Sequence, residues 1–233
     1  MAEWDGRGLV STEWLAANLS DPRLRIFDVT VHLRPATPGP YQIESGQADY
    51  EAAHVPGAGF LDLARDLSDP HSPLSFTMPP VGDFAAALGA AGVARGDRVV
   101  AYTTTTPMWA TRLWWMLRAC GFDDTAVLDG GLAKWTAEGR PTEAGEHRYP
   151  PAELTLAARP GAWADKAAVL DLGANLQLQP ARSQGFAGDV PRVARKQRGA
   201  LKVSPEGLVG QLWHALRAGE RNRCARRSHV CRA

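Results

Sequence analysis

The 233-residue chain is short of cysteine, of long apolar runs and of net charge, and each shortage excludes a class of protein. Its three cysteines, Cys120, Cys224 and Cys231, form no even, spaced set, so a disulfide scaffold is not expected. No apolar run approaches the roughly 20 residues of a membrane helix, so no membrane partner is expected. The opening residues Met1 to Gly6 carry neither a basic nor an apolar segment, so no secretory signal is read and a cytoplasmic location is expected. At 45% apolar and 22% charged residues the chain is ordinarily globular, which excludes a disordered chain, a collagen and a coiled coil.

The net charge of +1 conceals two unlike pieces. Residues 1–181 hold 14 Lys/Arg against 22 Asp/Glu, and residues 182–233 hold 12 against 3. A basic arm of this kind first suggests an acidic or nucleic-acid partner. It lacks interleaved aromatics and any reading fold, so nucleic acid is not expected.

Periodicity predicts alternating strands and helices. Residues 11–19 read as a short helix capped by Ser11, with Trp14, Leu15 and Leu19 on its apolar side. Residues 25–29 read as a strand, 34–46 as a Pro- and Gly-bearing loop, and 48–53 as one or two helical turns before the turn at His54. Residues 59–63 are a second strand candidate, followed by a long Pro-punctuated loop. Asp83 to Ala91 reads as a helix with Gly92 as its left-handed cap. Arg98 to Tyr102 is a continuous apolar run, the pattern of a parallel strand covered on both faces. Met108 to Cys120 places Trp109, Leu113, Met116, Leu117 and Cys120 on one helical face. Residues 125–128 are a short strand, and Gly130-Gly131 opens a helix through Trp135. The alternation predicts an α/β fold with a parallel sheet.

In such a sheet ligands gather where a strand hands over to a helix. That place is Thr103-Thr104-Thr105-Thr106-Pro107, between the best strand and the best helix. Converging backbone N–H groups and the helix N-terminus would favour an anion there, with Thr103, Thr104, Thr105 and Thr106 as donors and Arg112 as a charge. The competing reading is that the hydroxyls only satisfy the turn. Arg112 has an alternative too: pairing with Asp28 or Asp129 as structural glue, the role the sequence slightly favours.

These residues carry a resemblance. The blocks His54-Val55-Pro56-Gly57-Ala58, Val99-Val100-Ala101-Tyr102, Arg112-Leu113-Trp114-Trp115-Met116-Leu117-Arg118 and Val127-Leu128-Asp129-Gly130-Gly131 resemble a rhodanese domain. The order and spacing are similar to the N-terminal domain of tandem thiosulfate/3-mercaptopyruvate sulfurtransferases, over about residues 9–141. The resemblance implies a rhodanese-like α/β fold, a five-stranded parallel sheet with helices on both faces. It also implies sulfane sulfur transfer from thiosulfate or 3-mercaptopyruvate to a thiophilic acceptor, through a cysteine persulfide at the strand-to-helix loop. Here the cysteine position is Thr103, whose hydroxyl has far too high a pKa to carry a persulfide. The resemblance implies that departure as well, because the N-terminal domain of tandem members lacks the cysteine. The chain alone is therefore expected to be inactive, with a non-catalytic anion- or protein-binding module as the alternative.

The expected organisation is a domain over 9–141, a linker over 142–160 and an incomplete second rhodanese domain over 161–233 ending in a basic tail. Trp163 to Leu172 reads as its leading helix. Ala181-Arg182-Ser183 with Phe186 and Gly188 is similar to the opening of such a domain. From about residue 175 onward, a truncated or frame-altered version of a longer domain is the favoured account. Cys224 is a weak catalytic candidate, because the stretch before it is polar and no helix comes after it. Cys224, His229 and Cys231 fall short of the four ligands of a closed zinc site, so neither metal nor cofactor is expected. Cys120 reads as a packed core thiol, His54 as a loop anchor, and Trp114 and Trp115 as packing residues. The expected ligand is a small sulfur-containing anion, and self-association through uncovered apolar surface is expected.

Overall fold

The computed structural model describes residue 4 and residues 8–39, 41–164 and 167–170. All of them fall in the first of two compact units, Met1–Asp171. The elements in order are β1 (Leu9–Val10), α1 (Thr12–Asn18), β2 (Leu24–Asp28), β3 (Val31–Arg34), β4 (Gln42–Ser45) and α2 (Gln47–Ala52). They continue as β5 (Gly59–Phe60), α3 (Val81–Ala90), β6 (Arg98–Tyr102), α4 (Met108–Ala119), β7 (Thr125–Leu128) and α5 (Gly131–Ala137).

Five strands form a parallel sheet in the order β1-β7-β6-β2-β5. Successive side chains on a strand point to opposite faces, and both faces are apolar. Phe27, Val99, Ala101 and Val127 pack with Phe84 and Leu88 of α3 and Trp109, Leu113 and Leu117 of α4. Ile26, Val100, Tyr102, Ala126 and Leu128 pack on the other side with Trp14 and Leu15 of α1 and Leu132 and Trp135 of α5. The expected sheet with helices on both faces is present.

The local signals worked where they were strongest. Ser11 caps α1, accepting the Trp14 N–H at 3.1 Å. Gly92, just past α3, has φ +87°, the left-handed conformation its placement predicted.

Three differences bear on the site. The segment 34–46, expected as loop, contains most of an antiparallel hairpin of β3 and β4, with Val31 opposite Ser45 and Arg34 opposite Gln42. β1, which no periodicity marked, completes the sheet by pairing Leu9 with Val127. The connector expected over 142–160 is seated on the domain. Its Tyr149 hydroxyl bonds Gly57 and Ile26, Ala152 N–H donates to Gly89 O at 2.8 Å, and Leu154 and Leu156 pack against the core. Of the expected helix from Trp163, residues 167–170 are helical. The segment 171–233, with Cys224, His229 and Cys231, lies outside the described residues.

Candidate functional site

The carboxyl end of β6 is where the chain leaves the sheet core for α4. Tyr102 is fully buried on one face, and Thr103 comes next at 5% exposure. Pro107 stands at the start of α4, where its missing N–H is no loss. No side chain caps that helix, so its first N–H groups face the loop uncapped.

The threonines are not equivalent. Thr103 donates its hydroxyl to Thr106 O at 3.1 Å, closing the loop on itself. Its carbonyl accepts Leu132 N–H at 3.2 Å, which ties the loop to α5. That approach depends on Gly131, at φ +56°, where a Cβ would lie 2.5 Å from Thr103 O. Thr104 turns inward: its N–H donates to the Thr30 hydroxyl at 2.9 Å. The expected cradle of four threonines is therefore corrected in part. The Thr104 N–H is spent inside the protein and the Thr103 hydroxyl inside the loop, while Thr105 and Thr106 are exposed.

Beneath the loop lies Asp28, fully buried at the end of β2. Its Oδ1 accepts the Thr30 N–H at 2.9 Å and the Thr30 hydroxyl at 2.5 Å, and its Oδ2 makes no well-formed hydrogen bond. Burial outweighs these donors and pushes its pKa up to about 6. Tyr102 shares that environment, and burial, then repulsion from Asp28, holds its phenol well above the ordinary value.

Arg112, one turn into α4, pairs with neither Asp28 nor Asp129. Its Nη2 donates to Phe76 O, its guanidinium carbon stands 5.8 Å above the Phe76 ring, and its buried Nε has no partner. No carboxylate forms an ion pair with it among the described residues. Burial lowers its pKa, yet a guanidinium remains cationic. This is an uncompensated positive charge with donors to spare.

The other candidates among the described residues take structural positions. His54 is 1% exposed, with Nδ1 2.8 Å from Tyr50 O and its N–H donating to Glu143 O at 2.8 Å, the loop anchor expected of it. Cys120 is 1% exposed in the α4 core, and burial pushes its thiol up. Trp114 packs against the core, whereas Trp115 is exposed. Sequence reasoning missed Asp28 as a site residue, and with it Thr30 and Phe76. A carboxylate closing an otherwise apolar strand was the available signal for the first.

Known proteins share this architecture. Residues 11–138 match the rhodanese-like domain family. The chain is 37% identical over 135 residues to thiosulfate/3-mercaptopyruvate sulfurtransferase 2 of Arabidopsis thaliana, covering 58% of this chain and 37% of that protein. It is 35% identical over 153 residues to 3-mercaptopyruvate sulfurtransferase of Escherichia coli, covering 66% of this chain and 52% of that protein. The chain thus spans about half or less of the length of these relatives. The crystal structure of SseA from Escherichia coli, described with the rhodanese fold of 3-mercaptopyruvate sulfotransferases, superposes with TM-score 0.63 at 30% identity over 74% of this chain and 62% of that one. The 3-mercaptopyruvate sulfurtransferase of Leishmania major gives TM-score 0.55 at 26% identity, over 68% of this chain and 43% of that one. The parallel sheet, its strand-to-helix loop and the match over more than half its length agree, and the chain belongs to the rhodanese-like domain family, related to the thiosulfate/3-mercaptopyruvate sulfurtransferases.

Proposed function

We propose that the described domain is the non-catalytic rhodanese unit of a sulfurtransferase, and that it holds a small sulfur-containing anion beside Arg112 without carrying the sulfur itself. The observation behind this reading is Thr103, buried at the strand-to-helix loop with its hydroxyl committed to Thr106 O. A persulfide forms on a thiolate, and a hydroxyl of alcohol-like pKa cannot replace it. Cys120 cannot substitute, since it is buried with its thiol pushed up. With neither Thr103 nor Cys120 fit to carry the sulfur, this domain is expected not to move sulfane sulfur from thiosulfate or 3-mercaptopyruvate to a thiophilic acceptor.

Anion binding has separate support. Arg112 is a half-buried cation with no acidic partner among the described residues and a bare Nε, and a planar guanidinium suits a bidentate oxyanion. The apolar surface at Trp115 and Trp163, each close to 40% exposed, supports self-association, which a monodisperse monomer in light scattering would refute.

Two assays test the reading on the full chain: thiocyanate and sulfite from thiosulfate and cyanide, and pyruvate from 3-mercaptopyruvate. No turnover above the blank is expected. Robust turnover that vanishes in Cys224→Ser would overturn it and make Cys224 the nucleophile. Calorimetry with thiosulfate is expected to show binding that Arg112→Met abolishes.

A further inference from the structure

We propose that the loop 69–77 is a strap latched by Arg112 and released by an anion. In the unliganded protein the guanidinium holds the Phe76 carbonyl, and a small oxyanion that takes the guanidinium sets the strap free. This rests on the anion-binding role proposed for Arg112 and adds a conformational consequence to it.

The first observation is backbone strain. Phe76 has φ +59°, the only positive φ among the described residues that are not glycine. A bulky side chain avoids this region, and such residues persist only where their surroundings hold them. Three contacts hold Phe76. Arg112 Nη2 donates to its carbonyl, the guanidinium covers its ring at 5.8 Å, and Trp109 meets the ring at 4.8 Å between centroids.

The second observation is that the strap is closed within itself. Asp69 N–H donates to Thr77 O at 2.9 Å, the Ser72 and Thr77 hydroxyls lie 2.7 Å apart, and the Thr77 hydroxyl donates to Leu74 O at 3.0 Å. Among the described residues its one hydrogen bond to the rest of the domain is that from Arg112, so release leaves only these few short-range bonds to hold the segment, and they open more readily. Its tip residue, Leu74, is 72% exposed, and a cleft of about 200 Å³ lined by Ile43, Ser68 and Phe76 runs beside it.

The third observation makes latch and ligand exclusive. One neutral carbonyl satisfies a single edge of Arg112, whose Nε is left bare. A bidentate oxyanion offers two charge-assisted bonds in its place. An oxyanion seated bidentate on the edge formed by the bare Nε and Nη2 takes the Nη2 donor now given to Phe76 O, and the carbonyl oxygen is pushed away by the charge that replaces it. The anion thus binds the released state better than the latched one, which is the requirement for a ligand to shift a conformational equilibrium.

Hydrogen–deuterium exchange across 69–77 in the full chain, paired with thiosulfate calorimetry, tests this. Thiosulfate is expected to speed exchange in that segment at least tenfold, leaving β6 unchanged. Arg112→Met should speed it without any anion. Arg112→Lys, which keeps the charge and loses the fork, serves if that variant does not fold. Phe76→Ala removes the ring contacts that favour the latched state, so it should tighten thiosulfate binding several-fold, an effect a purely structural Phe76 would not have. Binding that depends on Arg112 with exchange unchanged would overturn the strap and leave the anion site standing. Absence of binding would overturn both, and unaltered exchange in the Arg112 variants would refute the latch without reference to any ligand.

Discussion

Asp28 Oδ1 and the Thr30 hydroxyl lie 2.5 Å apart, with both residues fully buried at the carboxyl edge of the sheet. That hydroxyl donates to the carboxylate and accepts the N–H of Thr104, so the buried acid supports the loop through one intermediary. Oδ2 makes no well-formed hydrogen bond, and the Tyr102 hydroxyl beside the carboxyl pulls its pKa down as the Thr30 hydroxyl does. Burial withholds water from the charged form and outweighs the Thr30 and Tyr102 hydroxyls, which is the physical content of its raised pKa.

That shift carries a prediction about stability. Asp28 moves from 3.8 to about 6 on folding, so the folded state binds its proton more tightly than the unfolded state. Its contribution to stability is complete below pH 3.8 and is lost as pH rises through about 6. The shift corresponds to ~2–3 kcal/mol. Denaturant titrations between pH 4.5 and 7 should show stability falling with pH, and Asp28→Asn should flatten the curve. A slope unchanged in the variant would remove Asp28 as its source.

Glu138 predicts the opposite sign in a lower window. Bonds from Thr12, then Arg140 and Lys134, hold its carboxyl down at about 2, against an ordinary 4.5. Its stabilisation is present above pH 4.5 and disappears as pH falls through about 2. The Thr12 hydroxyl donates to Glu138 Oε2 at 2.5 Å, joining α1 to the end of α5. Because Glu138 is exposed, solvent screens the effect and the change is small. Glu138→Gln should lower the melting temperature slightly at pH 7, and the difference from wild type should vanish near pH 2.

How legible each element was in the sequence depended on how local its cause was. Arg98–Tyr102 was legible because a strand covered on both faces is apolar throughout. β1 was not: Leu9 and Val10 are strand only because β7 lies beside them. The β3–β4 hairpin was hidden by the prolines and glycines of its own loop, and cross-strand contacts such as Arg34 to Glu44 at 2.8 Å do not show in composition. At the site, Thr103 and Arg112 could be located by order and spacing. The Thr30–Thr104 bond joins positions 74 apart, and the partner of Arg112 proved to be a backbone carbonyl, which no residue type announces.

Tyr149 tests whether the segment after residue 141 belongs to the domain. Ile26 N–H of β2 donates to its hydroxyl at 3.0 Å, and that hydroxyl donates to Gly57 O at 2.6 Å. Tyr149→Phe keeps the ring against Phe27 and removes both bonds, so it should cost ~1–3 kcal/mol for the partners left bare. Urea denaturation of the full chain measures it. A loss within ±0.5 kcal/mol, the usual range for a plain surface substitution, would mean the segment merely rests on the domain.

Two glycines separate backbone conformation from close approach. Gly57 and Gly131 both have positive φ, at +73° and +56°, so alanine at either is strained. At Gly57 an added Cβ meets nothing within 4 Å, whereas at Gly131 it would lie 2.5 Å from Thr103 O. Gly57→Ala should therefore cost about 1 kcal/mol, the conformational part alone. Gly131→Ala must also push the Thr103 carbonyl aside and break its bond from Leu132 N–H, for a further ~1–3 kcal/mol. The two variants should differ in denaturation midpoint, and only Gly131→Ala should raise amide exchange at Leu132. Equal losses would mean that the loop yields freely at Thr103, and that α5 does not help to hold the strand-to-helix turn in place.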